Sequence, residues 1–455
     1  MAASQSTNLI QIPACASSHA RVLASAATVG ILASAVKLAG GVKVMATARF
    51  FGTSDSLDAF LIAFLLPSFI SDVVAGSFTP SLIPILVRAE SEEGTGAAQR
   101  LARLALTFAI GMMLAAAIGL AIAGKWVLPL AGSSFSPGKL QLTLTLFFGL
   151  LFWLPMSAFI ATWRAVLNAN RIFALPAIAP LAAPVIIVAL LFTLASQWGV
   201  AVLCAGTVAG AAAECLMLAC AVRKMGHPLR PAWAGWGNPE LRAIRKQYFP
   251  LAASALISSG CVLVDQSVAG RLGPGQVSAL VYGNKLTAVI LGIIASAAGT
   301  AVLPAFSSMA SSRDWMRLRR AVLMYSGATL LAVLPLTAAL AASSPWLVRI
   351  FFQHGAFRAT GLVTGIQRFS LLQIPFAMLL VFLTRLATAL SRNALLVRMG
   401  AAALAADIVL DLVFSRWLGV AGIALATAAV QAISLLVLVS LLCRHEPKLA
   451  RAAVG

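Results

Sequence analysis

Apolar residues along this chain gather in runs far longer than a soluble core can use, separated by short polar or basic connections. About twelve runs reach the roughly 20 residues that a bilayer-spanning helix needs. Their approximate limits are 22–51, 57–87, 98–124, 139–168, 172–196, 198–222, 247–270, 276–306, 319–349, 358–390, 394–416 and 418–443. The pattern predicts an all-α polytopic membrane protein. The first two runs break the apolar rule in an informative way: Lys37 and Lys43 interrupt the first, while Asp58 and Asp72 stand at the start and near the middle of the second. A charge at membrane depth costs several kcal/mol and faces a protein interior or a watery cavity.

Composition agrees with the runs. Of 455 residues, 61% are hydrophobic and 10% charged, and the mean hydropathy is +0.96. The formal charge of +20 raises the question of nucleic acid, but the basic residues sit in short loops and form no stripe with aromatics, so no nucleic-acid partner is expected. Positive-inside topology accounts for them instead. With the amino terminus inside, about 21 Lys and Arg fall on the side holding both termini and about 7 on the other, which puts both ends in the cytoplasm. The polar first twenty residues carry no basic cluster, so the first run is expected to stay as a membrane helix and not to be cleaved as a signal peptide. The six cysteines, Cys15, Cys204, Cys215, Cys220, Cys261 and Cys443, show no C-x-x-C spacing and are read as small hydrophobes without disulfides.

A shift of about 220 residues lays the second half on the first. Pro84 then meets Pro304, Pro155 meets Pro375, and Gly199-Val200-Ala201 meets Gly419-Val420-Ala421. Six helices per repeat is an even number, so the halves share an orientation and are related by a pseudo-twofold axis along the membrane normal. The expected organisation is a tail (1–21), a first lobe (22–222), a cytoplasmic linker (223–246), a second lobe (247–443) and a tail (444–455). Two such lobes suit rocking about cargo held between them. Prolines inside the helices, Pro67, Pro84, Pro155, Pro176, Pro180, Pro304 and Pro375, permit kinks.

The charges inside the runs fall into two groups. Lys37, Lys43 and Lys285 can converge between the lobes and hold a diphosphate as flexible point charges, with Asp58 pairing with one of them as a gate when the cavity is empty. The plainer alternative is that the lysines only neutralise Asp58 and Asp72. The second group is Asp265 with Asp407 and Asp411, the last two stacked on one helix face by their i, i+4 spacing, with Thr427 as a further oxygen. Such carboxylates must hold protons or a hard cation, or else form a buried structural network. Arg385 or Arg416 can approach them, and Glu214 stands alone on its helix.

The strings ARFFGTSDSLDAFLIAFLLPSF (48–69), GPGQVSALVYGNKL (273–286), GTAVLPAFS (299–307) and FFQHGAF (351–357) resemble the MurJ/MviN lipid II flippases of the multidrug/oligosaccharidyl-lipid/polysaccharide exporter superfamily, in register along nearly the whole chain. The resemblance implies the two-lobed fold of that superfamily and its drug-exporting MATE members. It implies basic cavity residues at Lys37, Lys43 and Lys285, a required acid at Asp58, and a sodium site formed by Asp265, Asp407, Asp411, Thr427 and the Ile423 carbonyl. The chain departs from the family pattern in carrying lysines where arginines are usual, in Ser71 and Asp72 near an expected basic position, and in twelve helices where fourteen are typical.

The expected activity is therefore flipping of a polyprenyl-diphosphate-linked saccharide, lipid II or a relative, by a monomer in contact with membrane lipids. No cofactor is expected beyond a sodium ion. The alternatives are a cation-coupled exporter of small amphiphiles and a flippase for O-antigen or exopolysaccharide precursors. A membrane enzyme is disfavoured, because no His-acid pair, D-x-D or metal cluster falls within membrane reach. In a cysteine-free background, a cysteine replacing His354 should react with an impermeant reagent outside intact cells, and one replacing Ser311 should not. Labelling at 311 from outside would reverse the orientation.

Overall fold

A computed structural model describes residues 18–131, 135–227, 230–233, 237–312, 314–390 and 392–445. Cys15 and the rest of 1–17, Arg313 and the tail 446–455 lie outside the described residues, as do the side chains of 293–305, Pro304 among them, and of Ser311.

The described chain is helical from end to end. Its helices are α1 (Ser18–Phe51), α2 (Asp55–Glu93), α3 (Thr95–Ala131), α4 (Pro137–Leu151), α5 (Trp153–Ala169), α6 (Ala174–Ile178), α7 (Ala182–Trp198), α8 (Ala201–Lys224), α9 (Pro239–Arg271), α10 (Gln276–Ser311), α11 (Trp315–Phe352), α12 (Thr360–Leu371), α13 (Gln373–Ala389), α14 (Asn393–Leu418) and α15 (Val420–His445). A 3-10 turn, Ala179–Leu181, joins α6 to α7 where Pro176 and Pro180 remove helical donors. With α4–α5, α6–α7 and α12–α13 each counted as one broken rod, the described residues form the twelve rods expected. Ten of these spans are long and apolar enough by themselves to cross a membrane; α10 and α14 complete the set.

Starts and stops follow from local chemistry. Ser54 caps α2 by accepting from the Leu57 amide, and Ser136 caps α4 with Pro137 at the first helical position. Asn238 accepts from the Glu240 and Leu241 amides, with Pro239 behind it, so α9 begins at Pro239 and not at 247 as the apolar run suggested. The expected linker 223–246 is thereby shortened, and Ile244, Tyr248 and Ala252 pack into a core with Phe78, Leu82 and Leu101 of α2 and α3.

The repeat is visible in backbone angles. Phe152, between α4 and α5, has φ −63° and ψ −23°, and Leu372, between α12 and α13, has φ −61° and ψ −21°. Each break lies three residues before one proline of the pair Pro155 and Pro375. Gly199 ends α7 at φ 53°, ψ −139°, and Gly419 ends α14 at φ 60°, ψ −141°; only glycine takes that left-handed turn without strain. The protein is thus two six-rod lobes of like orientation. In the first, α2 packs against α3, α4 and α5, and α7 against α8; in the second, α10 packs against α12 and α13, and α15 against α12, α13 and α14.

Exposed apolar side chains such as Ile118, Leu331 and Leu436 face outward from the bundle, as lipid contact requires. Trp126, Trp198, Trp346 and Trp417 are exposed near the ends of α3, α7, α11 and α14. These four ends lie at the same side of the bundle, where tryptophan favours the headgroup layer.

Candidate functional site

The α1–α2, α9–α10 and α11–α12 connections, from both lobes, meet around one carboxylate. Asp58, in the first turn of α2, is completely buried. Its Oδ2 accepts the Gly275 amide at 2.6 Å and its Oδ1 the Ser278 amide at 2.9 Å. Those amides are orphan donors at the amino terminus of α10, so an acid of the first lobe caps a helix of the second. Lys139 on α4 completes the cluster, with Nζ at 2.6 Å from Asp55 and 3.7 Å from Asp58, over the Phe135 ring.

Further bonds close the same end. The Tyr282 hydroxyl donates to the Gly52 carbonyl at 3.1 Å, and the Ala356 amide donates to the Arg49 carbonyl at 2.9 Å. Tyr282, Phe352 and Phe357 pack ring against ring at 5.2–5.9 Å. Gly275 (φ +76°) approaches so closely that a Cβ would stand 2.7 Å from the Thr53 carbonyl oxygen.

The sequence reading paired Asp58 with one of the cavity lysines; its partners are instead the Gly275 and Ser278 amides and Lys139. Asp58 lies at the end of the bundle, whereas Lys43 is eight residues inward of Phe51 and Lys285 nine inward of Gln276. At 1.5 Å per residue both are on the order of 12 to 14 Å below their helix ends, against about 5 Å for Asp58 in α2, so they lie roughly 8 to 9 Å deeper.

The three lysines form a column along the seam between α1 and α10. Lys43 and Lys285 lie within electrostatic reach of each other. Deeper along the antiparallel pair, the Lys37 ammonium donates to the Gly292 carbonyl at 3.1 Å. Each lobe thus contributes cations to one seam.

The acids of the second lobe also come together. Asp265 on α9 and Asp407 and Asp411 on α14 each present an oxygen within 4.8 Å of the others. Five of their six carboxylate oxygens are buried without a hydrogen-bond partner among the described residues. Three carboxylates so close cannot all remain ionised unaccompanied. The donor set, all hard oxygen, fits a hard cation as well as shared protons. Thr427 Oγ1 donates to the Ile423 carbonyl at 3.0 Å on α15, which packs along α14.

The family model for lipid II flippase MurJ matches residues 47–454. The chain belongs to the MurJ family. Among its relatives, a probable lipid II flippase MurJ of Vibrio cholerae is 24% identical over 437 residues, covering 90% of this chain and 80% of that one. One of Rhizobium meliloti is 28% identical over 349 residues, covering 73% and 63%. A solved lipid II flippase MurJ in an inward closed conformation superposes with TM-score 0.78 at 22% identity, covering 91% of this chain and 87% of that one. An inward-facing multidrug resistance MATE transporter of the MOP superfamily gives 0.73 at 16%, covering 92% and 99%. The fold is the one these proteins share.

Lys37 and Lys43 precede the stretch matched by the MurJ family model, while Asp58, Lys285 and the three second-lobe acids lie within it. Three of the strings that carry the resemblance, 48–69, 273–286 and 351–357, converge on the Asp58 latch. Sequence reasoning missed Lys139; the Ser136-Pro137 helix start, which sets it at the same level as the start of α2, was the available signal. It also missed Arg164 as the partner of Glu214, with which it forms an ion pair.

Asp58→Ala should lower unfolding stability by about 3 kcal/mol, because it leaves the buried Gly275 and Ser278 amides without an acceptor. Chemical unfolding in detergent checks this, and Lys139→Ala added to Asp58→Ala should cost much less than on its own.

Proposed function

We propose that this chain flips a polyprenyl-diphosphate-linked saccharide of the lipid II class from the cytoplasmic to the outer leaflet by alternating access. Membership of the MurJ family over 47–454 carries the cargo class, and the seam of lysines drawn from both lobes supports a diphosphate site. Lys43 and Lys285 repel each other across that seam; a diphosphate between them turns repulsion into attraction. At 4 Å and an effective dielectric of 20 each such contact is worth about 4 kcal/mol. Cargo binding then draws the lobes together where the lysines sit, and the Asp58 latch, roughly 8 to 9 Å nearer the outer end, is the contact that must open for release.

In this reading both termini are cytoplasmic, the latched end faces outward and the protein acts as a monomer in the bacterial inner membrane. Asp265, Asp407 and Asp411 hold the coupling ion, with Thr427 and the Ile423 carbonyl as further oxygens. Sodium is favoured over a proton because it uses several hard oxygens at once, whereas a proton needs one. The ion supplies a positive charge that lets the acids remain ionised in the lobe interior.

Lys43→Ala or Lys285→Ala should abolish rescue of a strain depleted of its lipid II flippase while leaving membrane insertion intact, and arginine at either position should retain rescue. Full complementation by both alanine variants would remove the diphosphate site. Asp411→Asn should reduce the sodium-dependent rise in melting temperature of the purified protein, with cargo binding at Lys43 spared; an unchanged sodium response would make the acids structural.

A further inference from the structure

Inside the first lobe a cavity of about 710 Å3 opens between α2, α5, α6 and α8, and none of the three seam lysines lines it. Two bonds hold its walls. Ser71 donates to the Ser157 hydroxyl at 3.2 Å, and Thr79 donates to the Ala161 carbonyl at 3.0 Å. Ala75, Gly76, Ala161 and Ala177 leave the space that larger side chains would fill. The volume lies within the range of pockets that take small ligands.

The polar groups facing this space are incompletely paired. Asp72, seventeen residues into α2, is exposed to the cavity and has no hydrogen bond or ion pair among the described residues. An unpaired carboxylate at that depth of a spanning helix marks a functional position in most membrane proteins. On the facing wall, Arg164 pairs with Glu214 through Nη2 and keeps 30% of its side chain exposed where it lines the cavity. The cavity thus offers an acceptor for a cation at one level and a donor for an anion or carbonyl at another. Arg164 stands seven residues beyond Ser157, which bonds the neighbour of Asp72, so the two levels are on the order of 10 Å apart.

We propose that this cavity is a second cargo subsite, one that takes the amino-acid part of a headgroup, with a free ammonium on Asp72 and a carboxylate or amide carbonyl on Arg164. The proposal rests on the cargo reading above and adds selectivity to it. A diphosphate on the seam lysines fixes the common part of the cargo, whereas Asp72 reads a substituent that only some headgroups carry. A neutral or acetylated amine leaves Asp72 desolvated without a partner, and a site built for one charged hydrogen bond rejects the analogue that lacks it.

The test measures binding of two lipid II preparations to the purified full chain in lipid nanodiscs: one whose stem peptide carries a free lysine amine, and one with that amine acetylated. Wild-type protein should bind the free-amine form about tenfold or more tightly. Asp72→Asn should bind both forms alike, at the acetylated level, and should melt no lower than wild type, since it removes an unpaired charge. Lys43→Ala should weaken both forms by the same factor. Equal binding of the two forms by wild type, or a preference that survives in Asp72→Asn, overturns the subsite and leaves the cargo reading standing. Binding of neither form overturns the cargo reading and the subsite with it.

Discussion

A single buried carboxylate sets the arrangement of the latched end. Asp58 has no access to water, and a charge so placed persists only if hydrogen bonds and a counter-charge replace its hydration. The first turn of α2 cannot supply them, since its own amides point back toward Ser54. The partners therefore come from elsewhere: two amides at the start of α10 in the other lobe and the ammonium of Lys139 on α4. Satisfying one acid ties three helices and both lobes together, and Tyr282, Gly52, Arg49 and Ala356 add their bonds around it.

The same electrostatic logic separates the remaining charges by task. Opposite charges that satisfy each other, as in Asp58 with Lys139 or Arg164 with Glu214, make fixed contacts. Like charges brought together, the seam lysines and the second-lobe acids, are the reverse: each group is stable only in the presence of something of opposite sign. Clusters of this kind are frustrated by themselves, and an anion at the lysines or a cation at the acids would relieve them. The two clusters are built on different helices, the lysines on α1 and α10 and the acids on α9 and α14.

Much of this was legible in the sequence because it depends on period and spacing. Run lengths marked the rods, and the offset shared by Pro155 with Pro375 and by Gly199 with Gly419 predicted breaks that recur with nearly the same backbone angles. The gathering of Asp265 with Asp407 and Asp411 followed from helix-face spacing and from burial that leaves acids no other company. Pairings between distant segments were not legible. Nothing near Asp58 in the chain announces Lys139 or the amides of Gly275 and Ser278, and backbone donors have no sequence signature. The start of α9 was misplaced because Glu240, Arg242, Arg245 and Lys246 mask a helix that the Asn238-Pro239 cap begins. Arg164 was passed over because its partner Glu214 lies two rods away.

The central claim is that the Asp58 clasp is a contact that opens, and not a permanent staple. Spin labels at positions 56 and 274, one on each lobe beside the clasp, report its state by pulsed electron resonance in lipid nanodiscs. The account predicts a short distance in the wild-type protein and a second, longer population that grows in Asp58→Asn and on addition of lipid II. A single short distance, unchanged by the substitution and by the lipid, would contradict it.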